Sequence, residues 1–239
     1  MAMVKKKKRY CYEWPRPGVT VDIALFTVSG AVNALQLQVL LIERDEKPWR
    51  GMWALPGGFV RQNEDLYAAA LRELDEETGI PGATLEQVEA VGTPGRDTRG
   101  HIITVVYAGL TAGDRHELRP RGDARQAHWF DVSAAKPLPQ LAFDHSELLA
   151  RALNHLRRRL AEAPVCFELL PETFTLSELQ ALAEAILGYP LDRRNFRRKV
   201  VETGLVTPAD GLREGPHRPA QLFRFVPESF RPRERALPS

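Results

Sequence analysis

Apolar and polar positions change period several times along the chain, and each change marks an element. Val19 to Val28 is nearly continuous in apolar residues, and Leu35 to Ile42 follows after a turn around Gly30 and Asn33. This predicts two strands, the first buried on both faces. Glu43 to Arg50 is a charged loop leading into Gly51 to Pro56. Tyr67, Ala70, Leu71 and Leu74 then recur at helical spacing. Asn63 is placed to cap that helix, with Glu64 and Asp65 in its first turn, and Gly79-Ile80-Pro81 to stop it. Strands are predicted at Leu85 to Val91, Ile102 to Gly109 and Ala127 to Val132, with Trp129 and Phe130 filling the core. A helix from His145 to Leu160 puts Leu148, Leu149, Ala152, Leu153 and Leu156 on its inner side. His145 is expected to make a helix-start hydrogen bond.

Beyond this helix the pattern shortens. Ala161 to Pro171 carries two prolines and reads as a link. Thr175-Leu176-Ser177-Glu178 has the form of a capping box ahead of Leu179, Leu182, Ala183 and Ile186. Gly188 ends that helix, and Asp192 can cap a second one running to about Thr203, before Gly204. Phe196 and Val200 face inward there. Arg194 and Arg198 face outward with Arg197 beside them, and Arg193, Asn195 and Lys199 complete a basic face. Gly211 to Val226 suits a β-wing, with Arg213, His217 and Arg218 near its turn and Leu222 to Phe225 as a strand. Two short helices, a basic second helix and a wing predict a winged helix-turn-helix that binds double-stranded DNA.

Composition narrows this little. The 239 residues allow one large domain or two modest ones, and 44% hydrophobic with 27% charged residues excludes disorder as the default. No apolar run approaches the roughly 20 residues of a membrane helix. Met1 to Arg9 is basic with no apolar core behind it, so no secretory signal and no membrane association are expected. Cys11 and Cys166 stand alone and far apart, and a reducing cytoplasm is the expected home. The net charge is only +2, so partners are read from local clusters. Lys5 to Arg9 is either a solvated tail or a nucleic-acid arm.

The chemistry concentrates between Gly58 and Ile80. Gly58 is followed after five residues by Glu64, and after seven more by Arg72-Glu73-Leu74; Glu76, Glu77, Gly79 and Ile80 complete the spacing. Glu73, Glu76 and Glu77 fall at i, i+3 and i+4, so three carboxylates crowd one helix face. Hard oxygen ligands of that kind suit Mg²⁺ or Mn²⁺ together with substrate phosphates. Leu55-Pro56-Gly57-Gly58 brings bare backbone to the helix, where a Gly57 or Gly58 carbonyl can join the shell. Arg96 and Arg99, on a loop entering a strand, either grip a pyrophosphate or ribose phosphate or are surface arginines in a turn. Glu117 to Trp129 offers Glu117 and Asp123 as an additional carboxylate, and Asp123 is the choice.

The spacing from Gly58 to Ile80 resembles the signature of the Nudix hydrolases, which cut nucleoside diphosphates linked to another group. That resemblance implies an α/β fold with a Nudix α/β/α sandwich. It also implies metal held by Glu73, Glu76, Glu77 and the Gly57 carbonyl, with Arg72 and Glu64 bracing the site and Gly58 beside the substrate. Thr20-Val21-Asp22, Arg96 to His101 and Phe143-Asp144-His145 resemble an ADP-ribose pyrophosphatase-like branch. Leu169 to Leu176 and Leu191 to Lys199 resemble the C-terminal domain of the Nudix-related transcriptional regulators of NAD metabolism. In that family the Nudix half senses ADP-ribose and the winged-helix half represses NAD-pathway genes, typically as a homodimer; many members have damaged boxes. The expectation is a Nudix domain at 1–160 and a small winged helix-turn-helix domain at 161–239. The expected activity is Mg²⁺-dependent hydrolysis of ADP-ribose or a related nucleoside diphosphate derivative, with an ADP-ribose-sensing repressor as the alternative.

Overall fold

The computed structural model describes residues 13–113, 117–132, 137–162, 165–214 and 219–229. Lys5 to Arg9, Cys11, His217 and Arg218, singled out above, lie outside them.

Strands β1 (Gly18–Ser29), β2 (Gln36–Arg44), β3 (Trp53–Ala54), β5 (Leu85–Val91) and β6 (Ile102–Leu110) form a sheet in the order β3-β2-β1-β6-β5. β4 (Gly57–Phe59) pairs with β1, and β7 (Ala124–Asp131) pairs with β2. The central pair β1 and β6 runs parallel, from Gly18↔Ile102 to Phe26↔Leu110. Helix α1 (Leu66–Thr78) covers one face, burying Ala69, Ala70 and Leu74 against Val21, Ile23, Leu25 and Leu40. Helix α2 (His145–Glu162) covers the other, burying Leu148, Leu149, Ala152 and Leu156 against Ala24, Phe26, Val39 and Leu41. With both faces covered, β1 is buried from Thr20 to Thr27, as its continuous apolar run predicts. Trp129 packs into the α1 side of the core and Phe130 into the α2 side.

Several local expectations change. Asn63 does not cap α1; it sits at φ 63°, and Asp65 is the cap, accepting hydrogen bonds from the Tyr67 and Ala68 N–H groups. Glu64 therefore lies outside the helix, free to turn toward Arg72. Tyr67 is 39% exposed, because the buried stripe runs through Ala69, Ala70 and Leu74 instead. β3 and β4 are too short to show a period in sequence, and exist because β2 and β1 supply their partners.

The winged helix follows the predicted pattern. Thr175 closes the capping box with Glu178 at the start of α3 (Leu176–Leu187), and Asp192 caps α4 (Arg193–Glu202) through the Asn195 N–H at 2.8 Å. β8 (Phe174–Thr175), β9 (Val206–Arg213) and β10 (Ala220–Phe225) form the sheet β8-β10-β9.

The stretch read as a link is not an extended tether. Val165–Leu169 is a 3-10 turn with Cys166 buried, and burial pushes its thiol up to about 12. Phe174, Leu179, Leu182, Ile186 and Val206 join the same buried cluster as Phe26, Val39 and Leu156. Arg157 of α2 donates to the Ile186 carbonyl at the end of α3 (3.1 Å). A small helical pair has too little apolar surface to build a core of its own, and here it completes one by packing on the sheet and α2.

Candidate functional site

The loop before α1 needs its glycines for close approach. A Cβ on Gly58 would lie 2.5 Å from Glu73 Oε1, and one on Gly57 would lie 2.9 Å from Asp22 Oδ1. The Gly57 N–H donates to Glu77 Oε2 (2.8 Å), fixing the loop to the helix. Glu77 is 5% exposed, and burial, reinforced by nearby Glu73, pushes its carboxyl up to about 8. Burial also raises Glu73.

Arg72 organises the rest of the helix face. Its guanidinium donates to both Glu64 oxygens (2.5 and 2.9 Å), to Glu73 Oε1 (2.6 Å), to Glu76 Oε2 (3.2 Å) and to the Phe59 carbonyl (3.2 Å). Hydrogen bonding from Arg72 and from the Arg61 N–H holds Glu64 down at about 2. Arg61 also pairs with Glu76 at 3.0 Å. The carboxylates are thus held on arginines and backbone, and among the described residues no three acidic or imidazole groups converge on one point.

Across the cleft lies a second buried network. Thr104 donates to Asp22 Oδ2 (2.6 Å), and Arg96 makes a bidentate pair with Asp144 (2.8 and 2.7 Å) while lying 3.7 Å from Asp22. The Arg96 side chain is 4% exposed, so it faces the interior with its fork engaged by carboxylates rather than standing on the loop surface. Arg99 is the more open of the two; it pairs with Asp97 (2.7 Å) and lies 5.0 Å from the ring centres of both Phe59 and Phe143. Asp22, Arg96, Asp97, Arg99 and Phe143, with Arg44, Leu55, Gly57 and Gly58, line a cavity of about 30 Å³.

Arg44 was missed in the sequence. It ends β2, its guanidinium lies 5.0 Å from the Phe143 ring centre, and it feels the charges of Glu77, Asp123 and Asp97. Nothing in a charged loop distinguishes it; only the fold brings it to the cleft. Asp123 is exposed yet close enough to perturb Glu77, whereas Glu117 pairs with Arg119, whose backbone N–H bonds the Thr78 carbonyl at the end of α1.

The second candidate surface is α4. Arg193, Arg194, Asn195, Arg198 and Lys199 are exposed. Arg197 is half-buried; it donates to Ser177 Oγ (2.8 Å), and its Nε is buried without a partner. It is turned toward α3 rather than outward with Arg194 and Arg198.

The chain matches the NUDIX domain over residues 17–152, more than half its length. It belongs to the Nudix family. Residues 166–225 match the NrtR DNA-binding winged helix domain. Among similar proteins is the ADPR responsive transcriptional repressor NtrR of Acinetobacter baylyi, 39% identical over 91% of this chain and 86% of that protein. The ADP-ribose pyrophosphatase of Methanocaldococcus jannaschii is 39% identical over 47% of this chain and 63% of its own length. Shewanella oneidensis NrtR complexed with a 27mer DNA superposes with a TM-score of 0.70, at 34% identity, over 88% of this chain and 94% of that one.

In this Nudix domain His145 opens α2 and makes a hydrogen bond there, as expected, to a partner far away in sequence. Its Nδ1 accepts the Leu55 N–H (2.9 Å), pinning the loop that carries Gly57, while Nε2 faces Asp22 Oδ1 at 3.5 Å. An acceptor Nδ1 requires the neutral ring, and burial lowers the His145 pKa despite Asp22 and Asp144 nearby. The folded value lies below the unfolded one. The unfolded chain therefore takes up a proton that the folded chain refuses once pH falls below about 6.5, and stability declines with acidification from there. Glu77, raised to about 8, contributes the opposite slope over this range, so the His145 share is read as a difference: the change in melting temperature from pH 8 to 5.5 is expected to be more negative, or less positive, in wild type than in His145→Gln.

Proposed function

We propose that the chain is a divalent-metal-dependent pyrophosphohydrolase of ADP-ribose, or a related nucleoside diphosphate derivative, whose winged helix binds double-stranded DNA. The observation that carries the catalytic half is the buried Glu77 carboxylate, held on the Gly57 N–H beside Glu73 on a helix that keeps every acidic position of its box. Burial and the neighbouring Glu73 disfavour the charged form of Glu77, which a divalent cation would offset, and the donor set is all hard oxygen, which fits Mg²⁺ or Mn²⁺. Glu73, Glu76, Glu77 and the Gly57 carbonyl would hold it. Such an ion, when bound, polarises phosphoryl oxygens and lowers the pKa of water.

The chain's own residues do the remaining work. Arg72 and Glu64 brace the acidic face and orient Glu73 and Glu76. Gly58 keeps the loop clear of side chains where the substrate passes. Arg99 and Arg44 lie beside the cleft to meet a diphosphate, with Arg96 holding Asp22 and Asp144 behind them. Asp123 is the added carboxylate suited to take a proton from water. Water adds across the diphosphate, giving AMP and ribose 5-phosphate. The test is a hydrolysis panel in Mg²⁺. ADP-ribose is expected to be cleaved faster than NADH, other ADP-sugars and oxidised guanine nucleotides, and faster cleavage of the last group would overturn the substrate assignment.

A second reading, a repressor for which ADP-ribose is chiefly a signal, is favoured by the match to a repressor across 86% of that protein's length. The shared core gives it a physical route, since a ligand-induced shift in the sheet reaches α3 without crossing a tether. In either reading we assign the Nudix domain to 1–160, the DNA-binding domain to 161–239, a homodimeric state and a cytoplasmic location. Among the described residues no helix is long and apolar enough to cross a membrane.

A further inference from the structure

We propose that the winged-helix half carries a phosphate-binding groove of its own, built by Arg193, Arg197 and Ser177 between α3, α4 and the wing. The groove has a volume of about 870 Å³ and is bordered on the Nudix side by Val32, from the turn between β1 and β2. It shares no lining residue with the Nudix cleft.

Positive charge is left over there. Arg193 and Arg197 stand one turn apart on α4 and both line the groove. Arg197 bonds only the neutral Ser177 hydroxyl, its Nε is buried without a partner, and burial and the Arg193 charge both lower its pKa. Glu178 and Glu214 also line the groove, but among the described residues neither pairs with Arg193 or Arg197. Glu178 is engaged instead by the Thr175 N–H (2.6 Å) and by Arg213 (3.5 Å). Holding two like charges together costs stability that an anion between them would recover. Neutral donors converge on the same wall. Ser177 Oγ accepts from Arg197 at 2.8 Å, which leaves its own hydrogen to give. Thr175 Oγ1 caps the Glu178 N–H (3.2 Å), so the Leu176 and Ser177 N–H groups have no carbonyl within the helix. Two guanidinium groups, a hydroxyl and a helix start on one recess suit the several oxygens of a phosphate. A neutral ligand would leave both charges unpaired. Two sources supply that chemistry, a free phosphorylated small molecule and the backbone of a bound duplex.

The experiment titrates inorganic pyrophosphate into the full chain by calorimetry in EDTA, which removes the divalent cations assigned to the Nudix cleft. Arg193→Ala is expected to weaken pyrophosphate by about tenfold or more, the loss of one charge-assisted contact. Arg193 is exposed, so this variant is expected to melt as wild type does. Arg224→Ala removes the same charge from the other face of β10, since Phe223 beside it lines the groove, and is expected to change affinity by less than about twofold. Repeating the titration with excess mixed-sequence duplex assigns the source. Weakened pyrophosphate then marks the duplex backbone as the occupant, and unchanged pyrophosphate marks a free small molecule. A wild type that does not bind pyrophosphate overturns the proposal. So does equal weakening in both variants, which marks diffuse charge, or an Arg193→Ala variant that binds as wild type does. Hydrolysis is not read, so each of these failures leaves the pyrophosphohydrolase reading standing.

Discussion

Glu77→Gln is expected to reduce turnover of ADP-ribose by about 10²–10⁴-fold, the range typical for removing an essential acid–base or ligand group. The fold should survive. A glutamine carbonyl can still accept the Gly57 N–H that Glu77 accepts at 2.8 Å, so the loop stays on the helix. The substitution also removes a buried ionisable carboxyl next to Glu73 without losing its hydrogen bond, so the melting temperature is expected to hold or rise. What disappears is the ionisable oxygen that offsets a cation, and with it the charge stabilisation of the diphosphate. The measurement pairs AMP release under saturating ADP-ribose with calorimetric melting. A variant that melts normally and turns over normally would remove Glu77 from the catalytic set.

The other large effect is expected on DNA. Arg194→Ala/Arg198→Ala should abolish preference for a palindromic operator while leaving weak, salt-sensitive binding to any duplex. Both side chains are exposed on α4, and each guanine contact they make is worth about 1–3 kcal/mol of discrimination. If the chain binds as the proposed two-fold dimer, each contact is used twice, and the double variant loses several such terms at once. Arg197→Ala is expected to behave otherwise. Its side chain is held on Ser177 and packed toward α3, so its loss should disturb the helix pair rather than base preference. Anisotropy titrations against DNA from upstream of NAD-metabolism genes and against scrambled duplexes, at two salt concentrations, separate these outcomes. Wild type and double variant binding every duplex alike would remove sequence-specific regulation.

By itself the sequence determined whatever depends on neighbours within one or two turns. Glu73, Glu76 and Glu77 share a face because helical spacing puts them there, and Thr175 with Glu178 caps α3 because the pair lies three residues apart. The buried β1, the glycine stops at Gly79 and Gly188, and the basic α4 were legible for the same reason. Even here the first turn of α1 differs from the reading, since Asn63 and Asp65 are both capable caps and Asp65 takes the position while Asn63 sits at φ 63° in the loop before it.

Only the tertiary structure decided which side chains meet across long stretches of chain. Arg96 and Asp144 are 48 residues apart, and Leu55 and His145 are 90 apart. No local pattern reveals that the first pair buries an arginine that sequence alone offers as a phosphate grip. The same holds for Arg44 against Phe143, for Asp123 rather than Glu117 near Glu77, and for the winged helix sharing the Nudix core. Periodicity reports that a face is apolar or charged. Which partner covers it depends on the order in which strands and helices pack, and that is a property of the whole chain.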